Sequence, residues 1–165
     1  MLLALAEARQ AAQLGEIPVG SVLVDAQGKI LSSSGNRCIT YNDPSAHAEV
    51  LTIRLAAAKL GNYRLPRTVL VTTLEPCIMC LGCLVQARTA GIVFALRDPK
   101  AGAVVSRLKA DEDLHWLNSK FWFAEGLLHE QSKQLLQDFF REKRQKNGEV
   151  PKSGRNGPDS KSGWR

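Results

Sequence analysis

At 165 residues the chain is sized for one compact domain, and its 44% hydrophobic and 23% charged residues describe a globular rather than a disordered protein. No apolar run is long enough to cross a bilayer, and Met1 to Arg9 lacks the basic flank and long apolar core of an export signal, so no membrane is expected and the cytoplasm is the expected location. The formal charge of +6 is uneven: from Arg141 onward eight Lys/Arg stand against three Asp/Glu, a net of +5, and this basic end suits either a polyanion such as RNA or solvation alone.

Leu2 to Gln13 is rich in Ala and Leu and reads as a helix that gives way at Gly15. Ser21–Val24 reads as a strand, Ala26–Lys29 as a turn, and Ile30–Ser33 as the returning strand of a hairpin. Asn42-Asp43-Pro44-Ser45 is loop chemistry, with Ser45 the expected N-cap of a helix from about Ala46 to Lys59. Thr68–Thr72 is expected as a short buried strand that Glu75-Pro76 ends. Pro76 is expected in the first turn of a helix carrying Cys77 to about Arg88. Gly91–Ala95 and Phe121–Phe123 read as further strands, and Leu127–Lys143 as a closing amphipathic helix. Strands alternating with helices indicate an α/β fold, a three-layer α/β/α domain over residues 1–147. Residues 148–165, rich in Gly, Pro, Ser and Lys, read as a basic disordered tail.

Three of the four cysteines, Cys77, Cys80 and Cys83, fall within seven residues, and Cys38 stands apart. Without an export signal, metal binding or catalysis explains such a cluster better than disulfides do. Cys77 and Cys80 lie about one helical turn apart, so both sulfurs reach one ion, and the helix N-terminus favours their thiolates. His47, at the start of the other helix, completes three protein ligands for one Zn2+. The open fourth position separates a catalytic zinc from a structural one. Glu49, two residues beyond His47, stands where a carboxylate can move protons at that position without binding the metal. Two other readings weigh less. A structural zinc wants a second Cys or His pair, and an iron–sulfur cluster wants Cys83 to converge with Cys77, which a helix does not allow. Cys83 reads as a small core residue, and His115 and His129 as surface or packing residues.

His47-Ala48-Glu49 followed by Pro76-Cys77-Ile78-Met79-Cys80 is the zinc deaminase signature. The chain resembles the tRNA-specific adenosine deaminase branch of the cytidine/deoxycytidylate deaminase superfamily from Glu16 to about Arg144. The resemblance is carried by Glu16-Ile17-Pro18-Val19-Gly20, Asn36, Asp43-Pro44-Ser45-Ala46-His47-Ala48-Glu49, Asn62-Tyr63-Arg64-Leu65, Thr73-Leu74-Glu75-Pro76-Cys77, Arg97-Asp98-x-Lys100 and Phe139-Phe140-Arg141. It implies a cytidine deaminase-like fold with a mixed five-stranded sheet, a homodimer, one zinc per subunit, and conversion of adenosine to inosine at the tRNA wobble position. The implied roles are Glu49 as proton carrier, Asn36 and Ala48 at the flipped nucleoside, Asp98 and Lys100 on a loop lining the pocket, and Arg141 and Arg144 on the anticodon stem-loop. Cys83 departs from the small residue usual there. Relatives usually carry another helical turn before Met1, which makes a late start the expectation. Two rivals stay open: a deaminase of free cytosine or guanine, and a non-catalytic zinc module that binds RNA.

Overall fold

The computed structural model describes residues 1–113, 120–146 and 148, so His115 and the expected tail beyond Gly148 lie outside the described residues. In chain order the elements are α1 (Leu2–Gln13), β1 (Gly20–Val24), β2 (Ile30–Gly35), α2 (Cys38–Tyr41), α3 (Ala48–Leu60), β3 (Val69–Leu74), α4 (Ile78–Ala87), β4 (Gly91–Leu96), α5 (Ala110–Asp113), β5 (Trp122–Glu125) and α6 (His129–Lys146). The strands form one mixed sheet in the order β2-β1-β3-β4-β5. The pairs β1/β2 and β1/β3 are antiparallel, whereas β3/β4 and β4/β5 are parallel. Helices α3 and α4 pack together on one face, and α1 and α6 cover the other, which makes the expected three layers.

Direct contact between backbones sets the α1 layer. Gly20 and Gly35 are register partners on β1 and β2. A β-carbon at Gly20 would overlap the backbone of Ala4 and Ala8, and one at Gly35 would overlap the Glu7 carbonyl. Both positions therefore lack a side chain so that the helix can lie on the sheet. Across the sheet, the fully buried Leu23, Leu70, Ile92 and Phe94 meet Ile53 of α3 and Leu81 and Leu84 of α4 in the main core. This core fixes the two helices whose N-termini carry the chemistry. No helix among the described residues is long and apolar enough to cross a membrane.

Three local expectations need correction. The helix expected from Ala46 starts at Ala48, with His47 rather than Ser45 at its N-cap. The Ser45 amide and hydroxyl both donate to the Asp43 carboxylate, each at 2.7 Å, so that side chain closes the preceding turn instead. Pro76 lies outside α4, whose N-cap is Cys77, and its carbonyl accepts a hydrogen bond from the Ala103 amide. Helices α2 and α5 have no counterpart in the sequence pattern, because four residues are too few to display a hydrophobic period.

Candidate active site

The site lies where the chain leaves the carboxyl end of β3 and enters α4, beside the N-terminus of α3. His47 and Cys77 occupy equivalent positions, each an N-cap with extended backbone (φ −68°, ψ 148° and φ −73°, ψ 173°). Cys80 follows in the first turn of α4. His47 Nδ1 lies 3.7 Å from Cys77 Sγ and 3.5 Å from Cys80 Sγ, and the two sulfurs are 3.6 Å apart. A tetrahedral zinc with ordinary bond lengths separates two sulfurs by roughly 3.8 Å and a sulfur from a nitrogen by roughly 3.6 Å. The three donors therefore fit one zinc ion, and among the described residues no fourth His, Cys or carboxylate joins the group, which leaves one tetrahedral direction open.

The electrostatics agree with a cation here. Contact with Cys80 lowers the Cys77 thiol to about 4 against the opposing effect of burial, and His47 adds to the lowering. The same sulfur contact, together with burial, pushes Cys80 far upward. Two adjacent thiolates are incompatible without a positive ion between them, and a divalent metal removes the conflict. The contact with Cys77 draws His47 upward despite its burial. The imidazole nitrogen must be unprotonated to bind a metal, so occupancy of this site falls in acid.

Glu49 sits in the first turn of α3 and is 3% exposed. Burial pushes its carboxyl up to about 7, against the opposing effects of its backbone hydrogen bond and the nearby His47. It faces a cavity of about 240 Å³, also lined by His47, Cys77, Asn36, Asp98 and Ala101. That volume lies below the roughly 300–1,000 Å³ of pockets for drug-sized ligands, and it suits a single heteroaromatic base. Asn36 Oδ1 accepts the Ala48 amide at 2.8 Å, which fixes the orientation of the Asn36 amide group. Its Nδ2 is left as the donor for the cavity. Ala48 is fully buried, and its N–H is engaged by this bond rather than directed at the cavity.

A family model for the cytidine and deoxycytidylate deaminase zinc-binding region matches residues 1–96. The chain is 42% identical over 146 residues to a tRNA-specific adenosine deaminase of Agrobacterium fabrum, covering 87% of this chain and 93% of that protein. The chain belongs to this zinc deaminase family. A solved tRNA:A34 deaminase, described as editing A to I at the wobble position of transfer RNA, superposes with a TM-score of 0.78 at 40% identity, covering 82% of this chain and 97% of its own. A guanine deaminase of Nitrosomonas europaea shares the fold at a TM-score of 0.72 and 23% identity, covering 83% of this chain and 80% of that one. Within the family, this deaminase places its expected residues in two groups. Asn36, His47, Glu49, Cys77 and Asp98 meet at the metal cavity, with Cys80 behind them. Lys100 instead lines a separate groove of about 510 Å³ with Phe140, Arg141 and Arg144. Cys83 is half-buried at the margin of the core, and His129 pairs with Glu130.

Two carboxylates in the cavity wall received no role from the sequence. Glu16, 1% exposed, accepts the amide and hydroxyl of Thr40 at 2.7 and 2.9 Å and so ties down α2. Glu75, 2% exposed, holds the loop after β4. No expected element marked them, since Glu16 follows the break at Gly15 and Glu75 ends the buried strand, and a buried charge receives its dedicated donors only from the fold.

Proposed function

We propose that this chain, as a cytoplasmic homodimer, deaminates adenosine to inosine at the wobble position, position 34, of a tRNA anticodon, as the similar solved deaminase does. The carrying observation is a buried carboxylate, Glu49, beside a three-donor zinc site in a cavity sized for one base. His47, Cys77 and Cys80 hold the zinc, which when bound supplies a Lewis acid that ionises a water near neutral pH. Glu49 accepts the proton lost by the attacking water and delivers it to an adenine ring nitrogen. It then carries the second proton to the amino group leaving C6. Water and adenosine become inosine and ammonia. Asn36 donates through Nδ2 to the flipped nucleoside, Ala48 acts by orienting Asn36, and Asp98 borders the base.

The substrate reading draws its support from the groove at Lys100, Arg141 and Arg144, three cations a free base has no means to engage. The dimer reading draws on the outer faces of α3 and α4, which expose Leu55, Leu60, Ile78 and Met79. The deaminase domain is taken as residues 1–147, and residues 148–165 as a basic tail. The test is incubation with an adenosine-34 anticodon stem-loop and, separately, with free adenosine, cytosine and guanine. Inosine forming fastest in the stem-loop is expected. Faster turnover of a free base or nucleoside overturns the tRNA assignment, and a monomer in light scattering overturns the dimer.

A further inference from the structure

Glu75 follows the last residue of β3 and stands two residues before the metal ligand Cys77. Its own amide donates to the Leu96 carbonyl at 2.8 Å, which fixes its backbone to the end of β4. Among the described residues its carboxylate accepts hydrogen bonds only from neutral donors. Oε1 accepts the amides of Val104, Val105 and Ser106 at 3.0, 2.7 and 3.0 Å. Oε2 accepts the Asp98 amide at 2.9 Å and the Ser106 hydroxyl. A buried charge satisfied in this way, with a single loop closed around it, specifies the shape of that loop.

The loop is packed on the carboxyl group itself. A β-carbon at Gly102 would overlap both the Glu75 carboxyl and the Asp98 carbonyl oxygen. The Gly102 amide donates to that carbonyl at 2.9 Å, and the Ala103 amide donates to the Pro76 carbonyl at 2.9 Å, joining the loop to the entry of α4. The side chain of Asp98 is in turn held by the Lys100 amide at 2.9 Å. One segment therefore supplies Asp98 and Ala101 to the metal cavity and Lys100 to the cationic groove, and both depend on the same anchor.

We propose that Glu75 is the positioning residue of this site: its buried carboxylate sets the 98–106 loop, and with it the placement of Asp98 and Lys100 for binding the substrate. The inference rests on the function proposed above for its choice of substrate, but its structural half does not. The contacts assign different duties to the two oxygens, which allows a selective test. In Glu75→Gln the amide oxygen still accepts from Val104, Val105 and Ser106. The nitrogen replacing Oε2 then faces the Asp98 amide, donor against donor.

Deuterium exchange is measured on the zinc-loaded, substrate-free protein, and inosine formation from the stem-loop is followed in parallel. Glu75→Gln is expected to speed exchange at the Asp98 amide by about tenfold or more, with Val104 to Ser106 much less affected. KM should rise about tenfold, with kcat within about threefold of wild type and zinc content unchanged. Ser106→Ala, which removes one donor from Oε2 alone, should raise KM about two- to threefold and serves if the glutamine variant does not fold. A lowered melting temperature with Asp98 exchange and KM both unchanged would mean a merely structural role and overturns the proposal, as does an unchanged KM in Ser106→Ala. If wild-type protein makes no inosine in the stem-loop, the tRNA reading fails by itself. Asp98 exchange, and KM for whichever base is turned over, then decide the role of Glu75.

Discussion

Replacing Glu49 with glutamine separates proton transfer from everything else at the site. The side chain keeps its size, and none of the three metal donors changes. General acid–base groups contribute roughly 10²–10⁴-fold, and the upper half of that range applies here because the neighbouring carboxylates are engaged elsewhere. Glu16 is held by Thr40, Glu75 by the 98–106 loop, and Asp98 by the Lys100 amide. Inosine formation should fall by about a thousandfold or more, with zinc content as in wild type. Stability should move the other way. Burial raises the Glu49 carboxyl to about 7 from an ordinary 4.5, so the folded chain holds this proton more tightly than the unfolded chain does. The stabilisation from the protonated group is complete below pH 4.5 and is lost as pH rises through 7, a change of roughly 3 kcal/mol. Metal-free Glu49→Gln should therefore be the more stable protein above pH 7, by a margin of that order, and should lose the advantage toward pH 4. Urea unfolding from pH 4 to 8 measures the difference, and metal analysis with a stem-loop assay measures the rest. More than a tenth of wild-type turnover in the variant would refute the proton-carrier role, and parallel stability curves would refute the burial argument.

Cys77→Ser and Cys80→Ser should each lose zinc and activity together from about one zinc per chain, and full zinc retention by metal analysis would contradict the three-donor site. Neutralising Arg141, Lys143 and Arg144 together should raise KM for RNA and flatten its salt dependence by about 0.7–0.9 in log–log slope for each phosphate no longer neutralised. The melting temperature should change little, because Arg141 pairs with Asp138 at an exposed position and Lys143 rests over the Phe139 ring, interactions of modest worth. A large fall in melting temperature would make these residues structural. Gly91→Ala should destabilise the fold by about 1–3 kcal/mol, because its β-carbon would enter the Trp122 ring across the β4/β5 pair. Chemical denaturation checks this, and Trp122→Ala in the same chain should recover part of the loss.

The identity of the metal ligands was legible in the sequence because the donors are few and closely spaced. Cys77 and Cys80 sit one turn apart, and His47 opens a helix with Glu49 two residues on. Helices and strands long enough to display a period, such as α1, α3 and β4, were legible for a similar reason: their apolar residues repeat along the chain. The four-residue helices α2 and α5 carry no such repeat, and the N-cap of α3 depended on whether Ser45 turned to the helix or to Asp43. Only the tertiary structure decided the strand order, which brings the start of α4 against the start of α3 and closes three donors to within 3.7 Å of one another. It also divided the expected substrate residues, with Asp98 at the cavity and Lys100 beside Arg141 and Arg144. Glu16 and Glu75 acquired roles only there, because a carboxylate's function depends on which distant amides reach it. Val104 and Ser106 lie some thirty residues from Glu75 along the chain, and no local pattern records that meeting.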